Sequence, residues 1–329
     1  MGGTNWSDDH YKERASVRAA TGKAAFAYSD TMRAAPAHER KVHDTLNPFG
    51  VKFRESRDSD AHPESLAIAV MFDETGSMGS IPQHFQAALP QLMGLLMRKG
   101  VVEHPQVLFG AFGDATPDRH QNEVAPLQVG QFESGIEMED WLTNIYLEGQ
   151  GGGQNTESYE LAMYFMARHT SLDCYEKRNK RGYLFLTGDE LYYPAVKAEE
   201  VKRIIGDTIQ EDISTEDIMN ELQLMYDVYF LIPSGTNHYN ADWLIDGWQK
   251  LLGQQVIRLD DPDAISEVVA STISLAEGYN IDVINKNLEE AGISAERRGS
   301  ITKALVPLAD TAGRKIVKGS VAGTGLTKV

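Results

Sequence analysis

The chain has 329 residues, 42% of them hydrophobic and 24% charged, with 48 acidic against 31 basic side chains and a net charge of −17. That length and apolar content can build a sizeable core, as one large domain with extensions or as two domains. No stretch reaches the ~18 to 20 uninterrupted apolar residues of a membrane helix, the N-terminal MGGTNWSDDHYKER has no apolar signal core, and a cytoplasmic location without membrane contact is expected.

In chain order, residues 1–64 read as a helical extension. KERASVRAATGKAAFAYSDTMRAAPAHERKVHDTL is alanine-rich with charges at helical spacing, interrupted by Gly22 and Pro36, which predicts one or two helices. NPFGVKFRESRDSDAHPES is polar and turn-prone and reads as a linker. From Leu66 strands and helices alternate. LAIAVMF is a strand, IPQHFQAALPQLMGLLMRKG a helix stopped by Gly100, and QVLFGAFGD a second strand. VAPLQVGQF reads as a short edge strand because Pro126 disfavours a central place. IEMEDWLTNIYLEG and TESYELAMYFMARHT are amphipathic helices on either side of GQGGGQN. GYLFLTGDE, DVYFLIPSG and QQVIRLD are further strands, separated by the helices STEDIMNELQLMY and NADWLIDGWQKLLG and followed by the helix DAISEVVASTISLAEG.

Strands apolar on both faces, alternating with helices, predict a doubly wound α/β domain over residues 65–279, with a mostly parallel sheet covered on both sides. Residues 280–329 read as a helical hairpin with a loose tail, GSVAGTGLTKV. The one cysteine, Cys174, excludes an internal disulfide and a cysteine-built zinc site, and reads as a half-buried structural thiol. The charge is uneven: residues 65–279 carry 33 acidic and 13 basic side chains. A net of −20 there repels phosphate backbones and argues against nucleic-acid binding, although a plain solubility charge would look the same.

In such folds ligands sit beyond the carboxyl ends of the strands. Asp73, Thr75 and Ser77 follow the first long strand at alternate positions, and Gly76 and Gly79 permit a tight curl. One carboxylate and two hydroxyls around one point suit a hard cation, magnesium or manganese.

DETGSM after an apolar strand resembles the D-x-[ST]-x-S motif of the von Willebrand factor A domain, its metal-ion-dependent adhesion site. The order of elements over residues 65–279 is similar to that family's fold. The resemblance implies that Thr75 and Ser77 ligate Mg2+ or Mn2+ directly and that Asp73 acts through hydrogen bonds or a bound water. It further implies a threonine after a glycine-rich loop, for which GQGGGQNTESYE supplies Thr156, with Asn155 as a rival donor or Thr156 as a helix cap. The last carboxylate would come from LFLTGDE, where Gly188 and Asp189 stand in the reverse of the family's order, so Asp189 would serve from a bulge or displaced loop and Glu190 is the fallback.

A protein partner presenting a Glu or Asp to the open metal position is what this resemblance implies, with no catalytic activity. Intracellular members work beside MoxR-type AAA+ ATPases or in stress and tellurite-resistance systems of bacteria and phages. DETGS also resembles the phosphorylation motif of haloacid-dehalogenase-type phosphotransferases, which would make Asp73 a nucleophile, but the motif lysine is absent. A third reading is a scaffold with a vestigial metal site, whose contacts are made by the terminal extensions. Asp114 reads as a turn cap or a site-shaping acid; Tyr192, Tyr193 and Trp243 read as a rim or as packing beneath loops.

Overall fold

The computed structural model describes residues 5–97, 100–116, 124–149 and 155–320, with the main chain alone at Ser77 and over 310–320. The expected loose tail, from residue 321 onward, lies outside the described residues. The extension forms α1 (Asp8–Thr21) and α2 (Ala27–Ala34). Ser7 caps α1 by accepting from His10 N–H, and Gly22 ends it in the left-handed region at φ 66°. The presumed linker holds a strand, β1 (Arg54–Ser56). It is a strand because Thr170–Leu172, a partner the sequence does not reveal, pairs with it in parallel.

The central elements are β2 (Leu66–Asp73), α3 (Ile81–Ala87), α4 (Leu89–Met97), β3 (Pro105–Phe112), β4 (Leu127–Val129), α5 (Glu137–Thr143), β5 (Thr156–Glu157) and α6 (Tyr159–Arg168). The single helix expected over 81–100 is therefore two. Proline at position 90 has no N–H to give the Gln86 carbonyl, and the Tyr11 hydroxyl of α1 donates to that carbonyl instead, at 2.8 Å. Next come β6 (Thr170–Leu172), α7 (Asp173–Glu176), β7 (Gly182–Thr187), β8 (Leu191–Tyr192), β9 (Ala195–Val196) and α8 (Ala198–Glu200). β10 (Ile213–Ser214), α9 (Thr215–Met225), β11 (Tyr226–Pro233), α10 (Asp242–Leu252), β12 (Val256–Leu259) and α11 (Ile265–Ala276) precede the hairpin α12 (Ile281–Glu290) and α13 (Ala295–Ser320).

Among the described residues the main sheet has six strands in the order β12-β11-β7-β2-β3-β4. Its pairs are parallel except β4, which runs antiparallel to β3 at one edge, where Pro126 leads into it. All eight residues of β2 and of β3 are buried, the pattern of central strands covered on both faces. From β2 the chain moves outward through β3 to β4, then returns to β7 on the other side of β2 and continues outward to β12. The order thus reverses beside β2, the place where an open sheet leaves a crevice at its carboxyl end. β1 pairs in parallel with β6, and Arg57 just beyond it binds Asp173 and Glu176. At the other edge α13 packs along β12, with Arg297 paired to Asp261 and Lys303 to Asp260, so that edge is covered. Cys174 is fully buried, and burial pushes its thiol up. No helix among the described residues is long and apolar enough to cross a membrane.

Candidate functional site

Parallel register brings the ends of three strands together. Asp73 is level with Phe112, and Phe72 with Thr187, so Asp73, Asp114 and Asp189 leave the sheet at the same end. All three are buried. Asp73 is 0% exposed, and its Oδ1 accepts from the Thr75 main-chain N–H at 2.7 Å. Its Oδ2 is buried with no hydrogen-bond partner among the described residues. Burial pushes the Asp73 carboxyl up to about 8; hydrogen bonds from Thr75 oppose this, and the charges of Asp189 and Glu190 add to it. Thr75 is buried and starts a 3-10 turn over Gly76–Met78. Ser77 lies in that turn, and its side chain is outside the described residues. Gly79 closes the curl at φ 50°.

The inverted Gly188 and Asp189 have a packing cause. Gly188 N–H still donates to Leu231 O at 3.1 Å, continuing the ladder, but a Cβ on residue 188 would sit 1.9 Å from the Tyr159 hydroxyl oxygen. Glycine is therefore required one residue early, over a ring that packs on Phe112, Phe230 and Trp248. Asp189 then turns inward: its Oδ2 accepts from His238 N–H at 3.1 Å, and its carbonyl lies 3.0 Å from His238 Nδ1. Glu190 is held by Trp248, whose Nε1 donates to its carbonyl at 3.0 Å. The Glu190 carboxyl is pushed up to about 7, by burial first, while a hydrogen bond with the Glu157 carboxyl works the other way.

Thr156 does not cap a helix. It lies in β5 beside Leu191 of β8, and α6 starts three residues later. Asn155 is exposed and its carbonyl accepts from Leu191 N–H. The short β5 and β8 pair thus ties the segment after the glycine-rich stretch to the segment after β7. The glycines at 151–153 lie outside the described residues. Thr156 is half-buried on this side of the sheet, and the Tyr193 hydroxyl close by donates to Asp114 Oδ2 at 3.0 Å. Asp114 Oδ1 accepts from Thr116 N–H, the turn-capping geometry its context suggests.

These groups gather several buried carboxyls at the carboxyl end of the sheet, where burial makes their ionised forms costly. Among the described residues no three His, Cys, Asp or Glu side chains stand in metal-binding geometry. A hydroxyl-rich cradle falls outside that pattern, and one feature fits a hard cation: the buried, unpartnered Oδ2 of Asp73 beside two more carboxyls.

No family model and no curated protein matches the chain. Solved structures that resemble it include the pilus adhesin SpaC of Lactobacillus rhamnosus GG in its open conformation, at 9% identity and a TM-score of 0.44 over 70% of this chain. Proximal thread matrix protein 1 of the mussel byssus matches at 11% identity and a TM-score of 0.39 over 64% of this chain. The chain spans 31% of the adhesin's length and 48% of the byssus protein's. At such values neither likeness carries an argument.

Several contributors were not singled out in the sequence. Glu160 is fully buried, Oε2 accepting from Tyr193 N–H at 3.1 Å, and burial raises its carboxyl well above the usual range. Glu200 is pushed up to about 7 by burial, against the pull of Arg203. Tyr159, Glu157 and His238 belong with them. TESYELAMYFMARHT reads as an amphipathic helix, and that pattern singles out neither of its acids. The aromatic residues behave differently from one another: Tyr192 donates to Gly247 O and packs on Trp248, whereas Trp243 is 38% exposed against His238.

Proposed function

We propose that the chain is a von Willebrand factor A-like, doubly wound α/β module that binds a protein partner through Mg2+ or Mn2+ at the end of β2. The observation that carries this reading is the Asp73 carboxyl, fully buried with one oxygen unpartnered and two further carboxyls nearby. A buried carboxylate without a counter-charge is costly, and a divalent cation relieves that cost. Thr75, Ser77 and Thr156 would supply hydroxyl oxygens and Asp189 a carboxylate, with Asp73 orienting the turn through its bond to Thr75 N–H. When bound, the cation would supply an electrophilic site for one carboxylate of the partner. The strongly acidic surroundings select a partner that offers a single Glu or Asp among neutral or basic residues. A MoxR-type AAA+ ATPase is a partner of the kind the motif resemblance implies. Burial of Asp73 and engagement of its Oδ1 speak against a nucleophilic role, which needs an accessible carboxylate oxygen.

The test is titration of the purified chain with magnesium and manganese by calorimetry, beside Asp73→Ala. Binding in the wild type that disappears in the variant supports the reading. No binding of either ion to the wild type refutes it as a free-standing metal site.

A further inference from the structure

Residues 147–149 are held by their main chain from two sides. From α2, the Ser29 hydroxyl accepts from Leu147 N–H at 3.1 Å and donates to Leu147 O at 3.3 Å, and Arg33 Nε donates to the same carbonyl at 2.8 Å. The Arg33 guanidinium also lies against Gly149, where a Cβ would be 3.0 Å from Nη2. From the turn after β2, a Glu74 carboxylate oxygen accepts from Glu148 N–H, and the Glu74 carbonyl accepts from Gly149 N–H at 3.4 Å. Contact is close enough that a Cβ on Gly76 would sit 3.0 Å from Gly149 O. The Glu148 carboxylate reaches further, to the N–H groups of Val124 and Ala125.

Ser29 is the buried residue of α2, so the helix meets the rest of the molecule at the very point where it grips Leu147. Glu74 stands between Asp73 and Thr75. Whatever fixes its main chain therefore sets the direction of both neighbours, since the turn has few freely rotating bonds.

The geometry points to Ser29 and Arg33, in the N-terminal extension, as positioning residues for the turn at 73–78, acting through the main chain of residues 147–149. They touch neither the proposed cation nor the partner. They hold the peptide that holds Glu74. The extension is then a strap on the site, and a change in how α2 docks would be felt at Asp73 and Thr75. The consequence for metal affinity rests on the cation reading above; the mechanical coupling does not.

The experiment uses the full chain as wild type, Ser29→Ala, Arg33→Ala and Arg33→Lys, with hydrogen exchange and magnesium calorimetry on each. The amides to follow are Glu74, Thr75 and Met78, which bond Phe112 O, Asp73 Oδ1 and Thr75 O. In metal-free protein, exchange at these amides should rise by about fivefold or more in the two alanine variants, the size expected for a lost charged or buried hydrogen bond. Exchange in β7 and β11 should stay at the wild-type rate, and lysine at position 33 should restore part of the protection. Magnesium affinity should fall by about three- to tenfold in parallel. Wild-type exchange at the turn in both alanine variants overturns the inference, as does a rise spread evenly over the whole sheet. If the wild type binds no magnesium while turn exchange still rises selectively, the cation reading fails and the strap stands.

Discussion

Replacing Asp73 by asparagine should stabilise the metal-free protein, and by an amount that grows with pH. The side chain keeps its size, and its Oδ1 can still accept from Thr75 N–H, so the change removes a buried charge and little else. In the fold the carboxyl is held up at about 8, against 3.8 for an ordinary aspartate. Between those two values the folded protein keeps a proton that the unfolded chain has lost. The associated stability is complete below pH 4 and is lost as pH rises through 8. Each pH unit in that window is worth about 1.4 kcal/mol, so between pH 5 and pH 8 the advantage of the asparagine variant should widen by on the order of 4 kcal/mol. For a chain of 329 residues that is roughly 6 °C in melting temperature. The assay is thermal unfolding of both proteins in EDTA at several pH values. Groups remote from residue 73 titrate alike in both proteins and cancel in the difference, which then reports Asp73 together with the neighbouring Asp189 and Glu190. Magnesium at pH 8 should then raise the wild-type melting temperature and leave the variant unmoved. Parallel pH profiles in EDTA would refute the reasoning, because Asp73 would then be ionised without penalty and would need no cation.

Three further outcomes are expected. Gly188→Ala should destabilise the fold by about 3 kcal/mol in urea unfolding, because the new methyl group overlaps the Tyr159 hydroxyl, and Tyr159→Phe in the same chain should recover part of the loss. Arg18→Ala should cost about 2 kcal/mol by the same measurement, since the Glu139 it binds at 2.8 Å is buried and, among the described residues, its carboxylate keeps Gln86 and a longer contact to Arg14. Calorimetry on Ser77→Ala and Asp189→Ala should show magnesium binding weakened at least about tenfold in each, the scale of one lost direct ligand or its support; unchanged affinity in the aspartate variant would move that role to Glu190.

The alternation of the middle of the chain was legible because it rests on local patterns. LAIAVMF is apolar at every position over the length of a strand, as a strand covered on both faces is, and β2 lies inside the sheet between β7 and β3. Pro126 marked β4 as an edge, and the helix expected over STEDIMNELQLMY is α9, where Ser214 accepts from Asp217 N–H. Features that depend on a distant partner were not legible. β1 sits in a polar segment and is a strand only because β6, more than a hundred residues later, offers it hydrogen bonds. Thr156 has a helix-cap context, yet pairing with Leu191 draws it into β5.

The site divides in the same way. Asp73, Thr75, Ser77 and the following glycine are candidates by their spacing within one turn, which is local, and the structure places Asp73 and Thr75 buried at the end of β2. Composition and periodicity also determined a mixed α/β core with helical ends. Only the tertiary structure decided which of these polar groups are buried, that Gly188 precedes Asp189 to make room for the Tyr159 hydroxyl, and that α2 reaches Leu147 beside the turn. The physical reason is that burial and hydrogen-bond completion belong to pairs of residues far apart in the chain. A carboxyl such as Asp73 or Glu160 takes its raised proton affinity first from burial, which the fold assembles and the neighbouring residues in sequence do not reveal.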